Sequence, residues 1–164
     1  MIAALRGTLL SKEPDKIVLE AAGVGYEVFV TSSTSARLPA PGQATSLHVA
    51  ESFAMYGGGA TLYGFLAPPE KAMFLAFRDS VPSTGAKKAL EYLEKASRSL
   101  PDFRRAILEK DSKLLTGVFG FTKKTADRLI EALKDKLEAV PVSGPEKLAR
   151  SAGGEAASSA LSQA

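Results

Sequence analysis

The chain changes its hydrophobic period at Pro68-Pro69, and that change constrains the fold more than any other feature. Before the prolines, apolar runs from Ile2 to Leu10, Lys16 to Ala21 and Val24 to Val30 are separated by turn signals at Glu13-Pro14-Asp15 and Ala22-Gly23. In the third run Val24, Tyr26, Val28 and Val30 share one face while Glu27 and Phe29 take the other, the period of two expected of a partly buried strand. The Ser/Thr-rich residues 31–38 have room for one helical turn before Pro39-Ala40-Pro41-Gly42 closes it. Two further runs, Ala44 to Met55 and Ala60 to Phe65, flank Gly57-Gly58-Gly59. Five short strands with turns at this spacing predict a small closed or nearly closed barrel over residues 1–65.

Beyond the prolines the apolar residues recur at helical spacing: Met73, Phe74 and Phe77, then Leu90 and Leu93, then Phe103, Ala106 and Ile107, then Leu129, Ile130, Leu133 and Leu137. Proline suits the first helical turn because its missing N–H would be unpaired there anyway. Residues 66–138 are thus expected to form four or five short helices, making the chain an α+β multidomain protein. From Ala139 the sequence turns to Pro, Ser, Gly and Ala and loses its aromatic residues. Residues 139–154 read as a flexible linker. Residues 155–164, with Leu161 as their one large apolar side chain, cannot bury a core by themselves.

Composition removes most chemistry. With no cysteine there is no disulfide framework, Cys-based zinc site, iron–sulfur cluster or thiol nucleophile, and with His48 alone the common triads and His-rich metal sites are gone. His48 itself, in a strand-like run, reads as an ordinary surface or core residue. No Gly-x-x-x-x-Gly-Lys loop is present, so ATP hydrolysis by that route is not expected, and no cofactor is implied. Charged residues scattered through the first 30 positions fit neither a signal peptide nor a membrane span, which makes a soluble cytoplasmic protein the expectation. The net charge of +3 averages unlike segments. Residues 1–65 carry 4 basic and 5 acidic groups, whereas residues 66–138 carry 15 and 11.

Within that basic segment two stretches share an outline: an apolar lead-in, a tight turn of small residues, then a basic helix start. They are Val81-Pro82-Ser83-Thr84-Gly85-Ala86-Lys87-Lys88-Ala89-Leu90 and Val118-Phe119-Gly120-Phe121-Thr122-Lys123-Lys124-Thr125-Ala126, with lysine pairs 36 positions apart. This is the outline of a helix-hairpin-helix repeat. Its turn leaves backbone N–H groups free at a helix N-terminus, where they and the helix dipole bind phosphate. Lysines at the helix start add charge, and Arg128 extends the basic face by one turn. Contacts of this kind read phosphate spacing rather than base sequence. The plainer alternative is that each Gly-containing turn merely connects two helices.

The strings Met1-Ile2, Leu5-Arg6-Gly7, Gly23-Val24-Gly25-Tyr26-Glu27-Val28, Leu62-Tyr63-Gly64-Phe65 and Gly120 with Lys123-Lys124-Thr125-Ala126-Asp127-Arg128-Leu129-Ile130 extend across most of the chain. Together they resemble the RuvA family of Holliday-junction-binding subunits. The resemblance implies an N-terminal five-stranded OB-fold barrel and an all-α domain with two helix-hairpin-helix motifs. It further implies a linker and a small third domain that contacts the RuvB motor, of which residues 155–164 would be an incomplete beginning. It implies a non-catalytic homotetramer, single or paired, holding a four-way DNA junction flat and open for RuvB-driven branch migration in recombination and repair, with RuvC as a further partner. The DNA-binding positions that carry over are Gly85, Lys87, Gly120, Thr122, Lys123, Lys124 and Arg128.

Three departures from the family pattern set further expectations. The family places two adjacent acids, a pin at the junction crossover, where this chain has Gly57 and Gly58, so carboxylate–phosphate repulsion is absent there. Each two-glycine turn keeps one glycine, as Ser83-Thr84-Gly85 and Gly120-Phe121-Thr122. A non-glycine residue at positive φ costs on the order of 1 kcal/mol. Pro82 also removes a backbone donor, so the second hairpin is expected to be the better phosphate site. The third departure is that the chain stops partway into the third domain. Phe29, Phe53, Tyr56 and Phe65 suggest either a base-stacking face or, the preferred expectation, core or subunit packing. The competing functional readings are a divergent paralogue acting as a protein-interaction or regulatory subunit, and a helix-hairpin-helix enzyme such as a DNA glycosylase. Against the latter stand the barrel and the lack of a catalytic Lys and Asp arrangement at a hairpin.

Overall fold

A computed structural model describes residues 1–139; the expected remainder of the linker and the start of a third domain, residues 140–164, lie outside the described residues. The first half forms β1 (Ala4–Lys12), β2 (Lys16–Ala21), β3 (Val24–Phe29), α1 (Ser32–Arg37), β4 (Ala44–Phe53) and β5 (Ala60–Phe65). The strands close into a barrel in the order β1-β2-β3-β5-β4. All neighbours are antiparallel except β3 and β5, which meet in parallel over the short register Val28 to Leu62 and Phe29 to Tyr63.

Strand alternation sends Leu9, Ile17, Leu19, Val28, Leu47, Val49 and Leu62 into the barrel core. Helix α1 is the single turn anticipated between β3 and β4. Its N-cap Thr31 accepts from the Thr34 N–H, and Leu38 behind it joins the core.

The second half forms α2 (Pro68–Ser80), α3 (Ala86–Ala96), α4 (Leu100–Leu108), α5 (Ser112–Gly117) and α6 (Lys123–Ala139). Ser99 caps α4 and Asp111 caps α5 through their side chains. The helical core is aromatic. Phe77, Tyr92, Phe103, Phe119 and Phe121 meet mostly edge to face at centroid separations of 5.6–5.9 Å. Such pairs add about 0.5–1.5 kcal/mol each beyond their burial.

This core continues across the change of period. Ala50, Tyr63 and Phe65 of the barrel belong to the same apolar cluster as α2 to α6, and Phe74 packs on Tyr63 at 5.2 Å and on Phe65 at 5.0 Å. Polar contacts repeat the connection. Arg37 of α1 pairs with the buried Glu70 of α2 at 2.7 Å, Glu70 also accepts from the Leu66 N–H, and Ser32 donates to Glu94 of α3. The barrel and the helices therefore present their surfaces in a fixed relation. Burial raises the Tyr63 phenol above its ordinary pKa, with nearby Arg78 acting in the opposite direction.

Candidate nucleic-acid interface

The first hairpin is α2–turn–α3 and the second α5–turn–α6. Their backbones superpose in sequence with an offset of 37, because α3 starts at Ala86 and α6 at Lys123. Three observations fix this register. Ser83 (φ 57) and Gly120 (φ 76) each take the left-handed conformation three residues before their helix. Gly85 and Thr122 occupy the position before the first helical residue, and their carbonyls accept from the Ala89 and Ala126 N–H groups at 2.9 and 2.8 Å. Ala89 and Ala126 are both fully buried. The lysine pairs, 36 apart, are thus one step out of structural register: Lys87 corresponds to Lys124, Lys123 to Ala86, and Lys88 to Thr125.

This register also revises the expectation that two lost glycines strain two turns. Only the first glycine position needs positive φ, so the strain falls on Ser83 alone. Thr122 carries none; its hydroxyl accepts from the Thr125 N–H at 3.2 Å and caps α6.

The donors follow the same logic. In the second turn the N–H groups of Phe119 and Phe121 are spent on the Leu114 and Leu115 carbonyls. Among the described residues, those of Gly120, Thr122, Lys123 and Lys124 have no acceptor. In the first turn, Ser83 through Lys88 all have free N–H groups by the same measure. Pro82 corresponds to Phe119, whose N–H is used inside its own turn, so the proline removes no outward donor. The expectation that the first hairpin is the poorer phosphate site for lack of a donor does not hold.

Gly85, Lys87, Gly120, Thr122, Lys123 and Lys124 are all exposed, at or beside these free donors. Arg128 also has a partner within the fold. Its guanidinium donates to the Pro82 carbonyl at 2.5 Å, tying α6 to the turn of the first hairpin and bringing the two turns onto one side of the molecule.

Two cations escaped sequence reasoning. Lys95 donates to the Gly120 carbonyl at 3.2 Å, 5.3 Å from the Phe121 ring centroid, and Arg98 donates to the Val118 carbonyl at 2.5 Å. Lys95 lies in the last turn of α3 and Arg98 just past its C-cap, Ser97, where basic residues are ordinary complements of the helix dipole, so nothing in their spacing marks them. By occupying carbonyls of the second turn, they fix its polarity with N–H groups outward. The result is a surface of backbone donors and lysines, with the Gly120 and Val118 carbonyls occupied by Lys95 and Arg98, suited to phosphate oxygens.

The other singled-out residues divide. Phe65 and Phe29 pack in or against the core as expected, whereas Phe53 and Tyr56 are exposed near the β4–β5 turn that carries Gly57 and Gly58. His48 lies on β4 opposite Ala4 and Phe65, and no cluster of metal-ligating side chains occurs among the described residues. No described helix is long and apolar enough to cross a membrane.

Comparison with known proteins finds two matching stretches of the chain. Residues 1–64 match the RuvA N-terminal domain, and residues 78–135 match the SAM-like helix-hairpin-helix tandem. The Holliday junction branch migration complex subunit RuvA of Elusimicrobium minutum is 48% identical over 148 residues, covering 90% of this chain and 72% of its own. The protein of the same name from Endomicrobium trichonymphae is 47% identical over the same shares, and that from Symbiobacterium thermophilum is 41% identical over 88% of this chain and 68% of its own. A barrel that closes through β3 and β5, paired hairpins in one register and likeness over nearly all the described residues agree: the chain belongs to the RuvA family.

Proposed function

We propose that this chain binds four-way (Holliday) DNA junctions without regard to base sequence and holds them open and flat for branch migration driven by a RuvB motor. The observation that carries this reading is the pair of hairpin turns joined by Arg128, each exposing free backbone N–H groups beside a lysine. Residues 1–65 serve as the barrel domain and residues 66–138 as the DNA-binding domain. Gly85, Lys87, Gly120, Thr122, Lys123 and Lys124 hold phosphates, and Arg128 sets the spacing between the two turns. The role is non-catalytic and cytoplasmic.

A net charge of +4 over residues 66–138 is slight for tight binding by one copy. Assembly as a homotetramer multiplies the contacts and converts weak sites into an avid one. Affinity then falls steeply with salt, because each neutralised phosphate releases counterions. The test is a gel-shift titration of a four-way junction, a duplex of equal length and a single strand. Preferential binding of the junction is expected; equal affinity for junction and duplex overturns the reading. Light scattering that finds a monomer at micromolar concentration removes the avidity argument.

A further inference from the structure

The β4–β5 turn projects an apolar, uncharged tip from the barrel. Residues 52–61 contain no charged side chain, and Phe53, Met55 and Tyr56 are 64%, 89% and 94% exposed. Large apolar groups this exposed at one place on a protein mark a contact surface. The turn is nonetheless a defined structure. Phe53 pairs with Ala60, the Ala54 N–H donates to the Gly59 carbonyl at 3.2 Å, and Gly57 and Gly59 take the positive φ that reverses the chain.

Its base is tied to the hairpin surface. Arg78, near the end of α2, donates to the Glu51 carbonyl at 3.0 Å, pairs with Asp79 and lies over Phe74. Two residues beyond Glu51 the exposed tip begins, and four residues beyond Arg78 the first hairpin turn begins at Pro82. Arg128 then connects Pro82 to the second hairpin. Two arginine hydrogen bonds thus link the base of the tip to the first hairpin and the first hairpin to the second.

Resting on the junction-binding reading above, we propose that the tip is a base-stacking wedge: Tyr56, flanked by Met55 and Phe53, packs against bases unstacked at the branch point. An intact duplex offers no free base face, whereas a junction held open interrupts stacking where its arms meet. An uncharged aromatic tip approaches that point without repelling the surrounding phosphates. Base–aromatic stacking tolerates any base, which suits a protein that must follow a moving branch point. Apolar side chains inserted between base steps are an established way of holding nucleic acid in a distorted shape.

The chain contains no tryptophan, so Tyr56→Trp places a single fluorescent reporter at the tip. Junction and duplex binding are followed in parallel by the anisotropy of dye-labelled DNA. The wedge predicts that the variant's emission is quenched at junction saturation and little changed on duplex. It also predicts that Tyr56→Ser weakens junction binding about tenfold while leaving duplex binding unaltered. Saturable junction binding with unchanged emission and an unaffected Tyr56→Ser variant overturns the wedge and leaves the junction-binding reading intact. Failure to bind the junction overturns both. A concentration-dependent blue shift without DNA shows the tip buried against another copy of the chain and overturns the wedge.

Discussion

The two hairpins follow the same backbone path with opposite residue choices. The first has Ser83 at the left-handed position and Gly85 before the helix; the second has Gly120 at the left-handed position and Thr122 before the helix. Each keeps the glycine the other has given up. What they share is buried: Ala89 and Ala126 lie fully buried beneath the helix starts. The core therefore imposes the turn, and the turn in either version exposes backbone donors. A phosphate site made of N–H groups survives changes of side chain that would abolish a site made of side chains.

The largest expected effect tests the lysines against the structural register. The double variant Lys123→Glu, Lys124→Glu should weaken junction binding by roughly two orders of magnitude, since a charged contact is worth about 1.5–3 kcal/mol and reversal also repels. The loss should be the same for junctions of any base sequence, as expected of phosphate contacts. Among single variants, Lys87→Glu and Lys124→Glu should match, because both occupy the second residue of their helix, while Lys88→Glu should cost less. Titrations against one junction measure all four variants. Equal losses for Lys87→Glu and Lys88→Glu would break the correspondence between the hairpins.

The contrast between buried and exposed positions also explains what the sequence made legible. Alternation in β2 and β3 and the helical spacing of Met73, Phe74 and Phe77 reveal elements because burial enforces them. The lysine pairs misplace the repeat by one residue because exposed charges are not held in register by packing. The parallel meeting of β3 with β5 depends on how the barrel closes, which no local period encodes. The shared core of Ala50, Tyr63, Phe65 and the helices was equally hidden, since apolar residues do not state which neighbour they will meet. Arg128 is legible as a basic residue, but its partner Pro82 lies 46 positions away.

A middle-sized effect tests whether the hairpins act as a unit. Arg128→Ala removes the hydrogen bond to the Pro82 carbonyl and should weaken junction binding about tenfold, the scale of one charge-assisted bond. A double-mutant cycle with Lys87→Ala separates two ways in which this can occur. If Arg128 acts by positioning the first turn, the two losses couple by more than about 0.5 kcal/mol; if it only adds charge, they add.

The smallest effect lies in stability, and it isolates backbone strain from ligand binding. Gly120→Ala places a Cβ in open space, with nothing within 4 Å, so its cost is conformational alone. At φ 76 that cost should be about 1–2 kcal/mol. Ser83→Gly at φ 57 should run the other way, relieving local strain but adding freedom to the unfolded chain, for a net gain below about 1 kcal/mol. Urea denaturation of both variants measures the pair. Opposite signs mean that the core holds both turns in the left-handed conformation whichever residue is present. A destabilised Ser83→Gly would mean that the serine contributes more to its turn than its backbone conformation costs, and the two hairpins would then be maintained by different means.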